Sequence, residues 1–146
     1  MRPITDEDAI WIAGFFDGEG HVGITRTLGK KSHHSVIYGL KTTLTNTRLD
    51  ILDMIRKLIG MGTLYKKSPH EGWKQGWTLN LTRPEIEPFL KRILPYLRLK
   101  KEQAKIMLEF LETGCYTGTR EAPPSRIVAL RDILYTELSQ LNKTGA

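Results

Sequence analysis

The stretch IAGFFDGEG, residues 12–20, decides how this chain of 146 residues is interpreted. Its first half continues an apolar helix that we expect to begin at Asp6, where Thr5 and Asp8 make a capping box. Its second half places two carboxylates, Asp17 and Glu19, where glycines end that helix. A helix C-terminus carries a partial negative charge, so carboxylates there are electrostatically unfavourable. We therefore expect a cation to offset them.

Hydrophobic periodicity beyond this stretch predicts an α+β fold. Apolar residues alternate in two hairpins, and helical patterns with apolar stripes precede, separate and follow these hairpins. The order helix, hairpin, helix, hairpin, helix predicts a four-stranded antiparallel sheet with helices packed on one face, plus C-terminal helices. The opposite, polar face is where we expect the ligand. The expected strands are residues 21–27, 36–45, 63–67 and 73–81, and the later helices lie near 51–59, 84–94, 101–112 and 125–141.

Composition predicts a single domain over residues 1–146, because 40% hydrophobic content fills one core at this length. The net charge of +6 favours an anionic partner, nucleic acid before membrane. One cysteine, Cys115, excludes an intramolecular disulfide framework and fits a reducing compartment. The chain has no apolar run of membrane length and no secretory signal. We expect a soluble intracellular protein of the cytoplasm or an organelle.

Small residues on the first helix predict a dimer. Ala9 and Ala13, and likewise Gly14 and Gly18, are four residues apart and line up along the helix surface. Gly14 inside a helix costs about 1 kcal/mol relative to alanine, a cost usually accepted for close contact between helices. With one such helix per chain, the expected partner is the same helix of a second copy. The predicted interface is Ala9, Ala13, Gly14 and Asp17, and a two-fold axis there brings two acidic pairs together.

The stretch at residues 12–20 resembles the signature of the LAGLIDADG homing endonucleases. The resemblance implies that Glu19 binds a divalent metal directly, with the Gly18 carbonyl near the ion, and that Asp17 braces the helix end at the dimer interface. It also implies Mg²⁺ or a similar cation such as Mn²⁺, and Mg²⁺ prefers oxygen ligands. The alternative is an ordinary helix stop in which the glycines supply left-handed conformations.

Two later segments extend the resemblance over residues 6 to about 112. LTNTR, at 44–48, stands where family members often carry an amide near the water or metals, so Asn46 is a catalytic candidate, and a helix N-cap is its alternative. Arg48 either holds the scissile phosphate or is a solvated helix charge. LPYLRLKKEQA, at 94–104, places Lys100 near the active centre, where it stabilises transition-state charge or orders water.

The polar face of the sheet supplies candidate DNA contacts, because hydrogen-bonding side chains can read base edges in the major groove. The basic tip of the first hairpin is expected at phosphates. Trp73 and Trp77 are interpreted as packing residues. The strand candidates are His21, Thr25, Thr27, Lys41, Thr43, Lys66, Lys74, Gln75, Thr78 and Asn80, with Gln75 on the opposite face to Lys74, and the tip candidates are Lys30, Lys31, His33 and His34.

Together these features predict a homodimeric, site-specific homing endonuclease. It is expected to hydrolyse both strands of a long, pseudo-palindromic double-stranded DNA site with divalent metal ions. Two alternatives use the same fold: an intron maturase that binds RNA, and a DNA-binding regulator that does not cleave. The intact acidic residues Asp17 and Glu19 argue against loss of cleavage but do not exclude a protein with both activities.

Overall fold

A computed structural model of the protein describes residues 1–28, 36–114 and 123–144. The element order confirms the predicted αββαββα arrangement with additional C-terminal helices. A 3-10 turn at Leu94–Tyr96 separates the third and fourth helices. The elements are α1 (Asp6–Glu19), β1 (Gly20–Leu28), β2 (Val36–Asn46), α2 (Leu49–Ile59), β3 (Thr63–Lys66), β4 (Trp77–Leu81), α3 (Arg83–Ile93), α4 (Lys101–Glu112) and α5 (Ser125–Lys143).

The four strands form one antiparallel sheet in the order β1-β2-β4-β3. Gly20, the first residue of β1, lies opposite Leu44 of β2, so α1 delivers the chain to the end of the sheet where β2 finishes. Helices α1, α2, α4 and α5 pack on the apolar face, which alternation creates by directing every second side chain to the same side, and α3 packs against α1 and α4. The core includes Ile12, Phe16, Val22, Leu44, Ile55, Leu79, Phe89, Leu90, Met107 and Leu138.

Helix ends follow the signals in the sequence. The Thr5 hydroxyl accepts a hydrogen bond from the Asp8 N–H at 3.1 Å, which caps the start of α1. Glu85 accepts from the N–H of Thr82 and from the N–H of Gly62, both at 2.8 Å, and so joins the start of α3 to the end of α2. Gly60 ends α2 with a φ of +70°, a left-handed conformation that favours glycine.

The second hairpin differs from its prediction, because β4 begins at Trp77 rather than at residue 73. Trp73 is 79% exposed, so its interpretation as a packing residue was wrong, whereas Trp77 packs against the core. The segment WKQGW, residues 73–77, was predicted as part of the strand because its residues alternate as they do in a strand. Gly72, with a φ of +77°, turns the chain just before this segment. The Gln75 side-chain amide donates its hydrogen bonds to backbone carbonyls of the loop.

The final helix packs on the core, as expected. Leu134 and Leu138 are buried, and the Asn142 amide donates to the Val22 carbonyl at 2.9 Å. Asp132 pairs with Arg26 and accepts from the Tyr38 hydroxyl at 3.0 Å, which joins α5 to the first hairpin. Within the described ranges, no helix combines the length and apolar character that crossing a membrane requires.

Candidate active site and nucleic-acid face

The end of α1 is set by close packing at Gly20 rather than by a left-handed glycine. Gly20 has a φ of −85°, and neither it nor Gly18 has a positive φ. A Cβ at Gly20 would lie 2.5 Å from the Phe16 ring and 2.6 Å from the Phe16 carbonyl oxygen, much closer than real contacts. The alternative of left-handed glycines in this turn was therefore wrong, and glycine is needed here for space.

Asp17 is bound to the segment that precedes α4. Its carboxylate accepts hydrogen bonds from the backbone N–H groups of Arg98 (2.8 Å), Leu99 (3.1 Å) and Lys100 (2.9 Å). The Lys100 ammonium donates to the Asp17 carbonyl at 2.5 Å. The start of a helix carries partial positive charge, so this arrangement offsets the unfavourable position of a carboxylate at the end of α1. Asp17 therefore braces the helix end as expected, but against its own chain.

Glu19 is treated differently. It is the exposed last residue of α1 and makes no hydrogen bond or ion pair with any of the described residues. The adjacent Gly18 is also exposed, and its carbonyl belongs to the last turn of the helix. Glu19 thus keeps both carboxylate oxygens available beside a helix end that is itself negative.

These donors fit a hard divalent cation. Carboxylate and carbonyl oxygens suit Mg²⁺ and Mn²⁺, whereas zinc sites usually add histidine or cysteine. Among the residues with described positions, no group of three or more His, Cys, Asp or Glu side chains comes together in one chain. Mg²⁺ usually retains several waters and takes only one or two carboxylates, so Glu19 and its copy in a second chain would match that requirement.

Two lysines and His21 border this helix end. The His21 ring folds onto Gly23, where an added Cβ would lie 2.6 Å from Nε2. Partial burial, and then the positive charges of Lys41 and Lys100, lower the pKa of His21 below its ordinary value of 6.5. At neutral pH the imidazole is therefore an uncharged hydrogen-bonding group between two cations. The structure thus brings Lys100, Lys41 and His21 to the end of α1, as the sequence predicted for Lys100.

The strand register defines the face of the sheet that the helices leave open. One row across the sheet is His21, Thr43, Asn80 and Thr63, and the next is Thr45, Thr78 and Tyr65. Predicted contacts that do share this open face are His21, Thr25, Thr27, Lys41, Thr43, Thr78 and Asn80. Thr43 is only 4% exposed beneath its neighbours, so it offers little surface to a ligand.

The other predicted contacts differ in position. Lys66 lies opposite Trp77 and alternates with Tyr65, so it lies on the helix-facing side, and its placement on the open face was wrong. Lys74 and Gln75 lie in the loop before β4 rather than in the strand. The tip candidates Lys30, Lys31, His33 and His34 fall outside the described residues.

Three exposed residues of the described open face were missed, and the first is Thr63, which pairs with Asn80. Tyr65 is 54% exposed and Ile37 is 51% exposed, and both face the same side as His21. Alternation with half-buried Leu64 would have indicated Tyr65. Ile37 was hidden because an apolar side chain in a strand is normally assigned to the core.

Comparison with known proteins identifies the family. A model of the LAGLIDADG endonuclease family matches residues 12–107. The chain belongs to the LAGLIDADG endonuclease family. It is 30% identical over 119 residues to the DNA endonuclease I-CvuI of Chlorella vulgaris, covering 77% of this chain and 70% of that protein. It is 28% identical over 108 residues to the DNA endonuclease I-CreI of Chlamydomonas reinhardtii, covering 73% and 63%.

Solved structures of LAGLIDADG proteins share the fold. The structure of I-CvuI in complex with the I-CreI target superposes with a TM-score of 0.74 at 21% identity, covering 93% of this chain and 83% of that one. An archaeal intron-encoded homing endonuclease complexed with DNA gives a TM-score of 0.71 at 18% identity, covering 94% and 96%. The four-stranded sheet with helices on one face is therefore the LAGLIDADG fold.

The signature helix of this LAGLIDADG protein exposes only part of the predicted dimer interface. Ala9 and Ala13 are completely buried against their own chain, so their assignment to a dimer interface was wrong. The outward side instead carries Ile10 (52% exposed), Trp11 (44% exposed) and Gly14, where an added Cβ would meet no atom within 4 Å. The pairs Ala9/Ala13 and Gly14/Gly18 have the same spacing, so the sequence could not show which pair is buried against the rest of the chain.

Asn46 and Arg48 contact each other rather than the acidic helix end of the LAGLIDADG motif. The Asn46 side-chain oxygen accepts from the Arg48 N–H at 2.8 Å. The N-cap position of α2 is Arg48 itself, so the N-cap interpretation of Asn46 is displaced by two residues. The Arg48 guanidinium binds both carboxylate oxygens of Asp50, at 2.9 and 2.6 Å. Both side chains of this pair are about two-thirds exposed, so Arg48 has the geometry of a solvated helix charge.

Proposed function

We propose that this chain is a homing endonuclease that, as a homodimer, hydrolyses both strands of a long, pseudo-palindromic DNA site. The observation that carries the proposal is the contrast at the end of α1. The Asp17 carboxylate accepts hydrogen bonds from its own chain, whereas Glu19 is exposed. Membership of an endonuclease family supports DNA cleavage. So do the relatives, which are named DNA endonucleases, and the related I-CvuI structures, which contain DNA targets.

The substrate follows from the open face of the sheet. Threonine hydroxyls, the Asn80 amide, the uncharged His21 ring and the Tyr65 hydroxyl give it hydrogen-bonding groups suited to base edges. Lys41 adds a positive charge on that face, and the chain carries a net charge of +6. Affinity for the phosphate backbone should therefore fall as salt increases, because binding releases counterions from the DNA.

The dimer follows from the outward side of α1. Ile10 and Trp11 leave apolar surface exposed in the single chain, and Gly14 beside them permits close approach of a second helix. A two-fold axis at this stripe would place two copies of Glu19 side by side and two open sheets along successive half-sites. The symmetry of the protein then predicts the near-palindromic symmetry of the target.

The chemistry requires a divalent ion, for which Mg²⁺ or Mn²⁺ fits the donors. Glu19 and the Gly18 carbonyl would hold it. When bound, such an ion polarises the phosphate, acidifies the attacking water and stabilises the leaving oxygen. The related I-CvuI structures were obtained with Mg or Ca. Lys100, whose ammonium donates to the Asp17 carbonyl, would stabilise negative charge on the scissile phosphate.

Incubation of a randomised duplex library with Mg²⁺ tests this function, with wild type compared against Glu19→Gln and with a chelator as a control. We expect cutting of both strands at one long pseudo-symmetric site, and no cutting by the variant or with the chelator. Selective retention of a duplex without cleavage by wild type would instead indicate a DNA-binding regulator. Retention of structured RNA with no duplex preference would indicate a maturase.

A further inference from the structure

The loop between β3 and β4, residues 67–76, carries an exposed indole ring. We name this loop the hairpin arm. Trp73 is 79% exposed, and its ring centroid lies 6.0 Å from that of His70, with the two planes tilted by 54°. Tryptophan is a large apolar side chain, and it is enriched among the residues that contribute most to binding at contact surfaces.

The hairpin arm has a defined base. The Lys67 N–H donates to the Gly76 carbonyl at 2.9 Å, continuing the β3–β4 pairing by one step. The Gln75 amide donates to the carbonyls of Lys67 (2.8 Å) and Gly76 (2.7 Å), which closes the loop from the side. The Trp73 N–H donates to the His70 carbonyl at 3.1 Å, after the left-handed turn at Gly72. These bonds fix the backbone that presents the indole ring.

The hairpin arm extends past the end of the sheet at which Glu19 lies. The last row of the sheet at that end contains Asn46, Trp77 and Lys66, and β2 stops there. Gly20 pairs with Leu44 two positions earlier in the same strand, so α1 delivers Glu19 to this end too. The arm therefore projects from the end of the sheet that carries the candidate active site, away from the tip of the first hairpin.

The charge around Trp73 indicates what it contacts. Lys66, Lys67 and Lys74 are all exposed within the arm or at its base, and Glu71 is the one carboxylate between residues 66 and 76. Lysines are suited to phosphates, whereas an aromatic ring is suited to the faces of bases. An aromatic ring flanked by lysines fits nucleic acid better than a second protein surface.

We propose that Trp73 inserts its indole ring at a base step of the duplex while Lys67 and Lys74 bind the flanking phosphates. This inference rests on the proposed function and adds a specificity-determining residue to it. Apolar side chains that enter a base step partly unstack it and kink the duplex. Pyrimidine–purine steps unstack most easily, so the arm would select such a step through its deformability rather than through hydrogen bonds.

Binding of the selected duplex tests the proposal, with every variant made in the Glu19→Gln background so that the DNA remains intact. Trp73→Ala should weaken binding about tenfold, as expected for loss of one base–aromatic stack, and Trp73→Phe should restore most of it. Because no charge is lost, the salt dependence should not change with Trp73→Ala. Lys74→Ala should instead reduce that slope by about one. Ile133→Ala, which removes exposed apolar surface from α5, should have no effect on binding.

A fluorescent base analogue placed in turn at each step of the target reports unstacking directly. We expect one bright step in each half-site with Trp73 present and none with Trp73→Ala. Equal affinity and equal fluorescence for both proteins would overturn the inference and leave the proposed function intact. A dimer that dissociates in Trp73→Ala before DNA is added would also overturn it, by assigning the ring to a subunit contact. Failure of the Trp73-containing protein to retain any duplex would overturn both proposals.

Discussion

The inner and outer sides of the α1 terminus carry two carboxylates in opposite environments. Asp17, on the inner side, accepts hydrogen bonds from three backbone N–H groups of the segment before α4. Glu19, on the outer side, makes no such contact within the part of the chain that the structure describes. Both suffer the same electrostatic penalty of a helix C-terminus. The penalty at Asp17 is offset by hydrogen bonds within the fold, whereas the penalty at Glu19 is not, so we expect the two residues to have separate roles.

The largest effect on stability is expected from Asp17→Ala. This change leaves three N–H groups near the start of α4 without their acceptor and removes charge-assisted hydrogen bonds. We expect the free energy of unfolding to fall by about 3 kcal/mol, measured by urea denaturation. Glu7→Gln, at the exposed start of the same helix, is the matched control and should change stability by less than about 0.5 kcal/mol. Equal effects at the two positions would contradict the bracing role of Asp17.

Gly20→Ala tests whether close packing sets the end of the helix that carries the two carboxylates. The added methyl group would meet the Phe16 ring and carbonyl, so the chain must shift where β1 begins. We expect a loss of roughly 1 to 3 kcal/mol, as for other overpacked positions. Gly18→Ala is the control, since an added Cβ there meets nothing within 4 Å. A Gly20→Ala protein as stable as wild type would show that the turn relaxes freely.

Gly14→Ala tests the outward side of the same helix. The substitution should raise the stability of the monomer but lower the affinity of the dimer. The added methyl group is unopposed in one chain, so helix propensity should stabilise the monomer by about 1 kcal/mol. It should weaken the dimer if two α1 helices approach at this stripe. Sedimentation at a series of concentrations, together with urea denaturation, measures both effects. A tighter dimer in the variant would place the interface elsewhere.

The smallest effect is expected at Asp132, a carboxylate that is also bound within the chain but far from α1. Hydrogen bonds from Arg26 and then from Tyr38 lower its pKa below the ordinary 3.8. A lowered pKa stabilises the fold above pH 3.8, and this contribution disappears as the pH falls through the folded-state value. Because the pair is nearly half exposed, Asp132→Asn should cost within about 1 kcal/mol at pH 7. In acid titrations of unfolding, the difference from wild type should vanish once the pH is below the folded-state pKa of Asp132, and a difference that grows there would contradict the assignment.

Most of the fold could be predicted from periodicity and caps, because those signals are local. Alternation identified β1 and β2, and glycines marked the end of α2. The start of β4 was misplaced because residues 73–76 alternate as a strand does. What excludes them from the sheet is the Gln75 amide, which binds the loop backbone. That contact depends on a residue eight positions away and leaves no trace in the hydrophobic pattern.

The candidate site was less predictable, because it depends on contacts between distant segments. The motif indicated Asp17 and Glu19, but only the fold shows that the former is bound by residues 98–100. Equal spacing of two pairs of small residues could not indicate that Ala13 is buried while Gly14 is exposed. The side of the sheet on which Lys66 lies follows from its pairing with Trp77. That pairing could not be predicted because the start of β4 was misplaced.

The most direct test of the separate roles measures thermal stability and cleavage of the selected duplex together for Glu19→Gln and Asp17→Asn. We predict that Glu19→Gln keeps or raises the melting temperature, since it removes a charge from a negative helix end, and that it binds the target without cutting it. Asp17→Asn should lower the melting temperature by several degrees. Cleavage by Glu19→Gln at the wild-type rate, or a melting temperature as low as that of Asp17→Asn, would contradict the separate roles of Asp17 and Glu19.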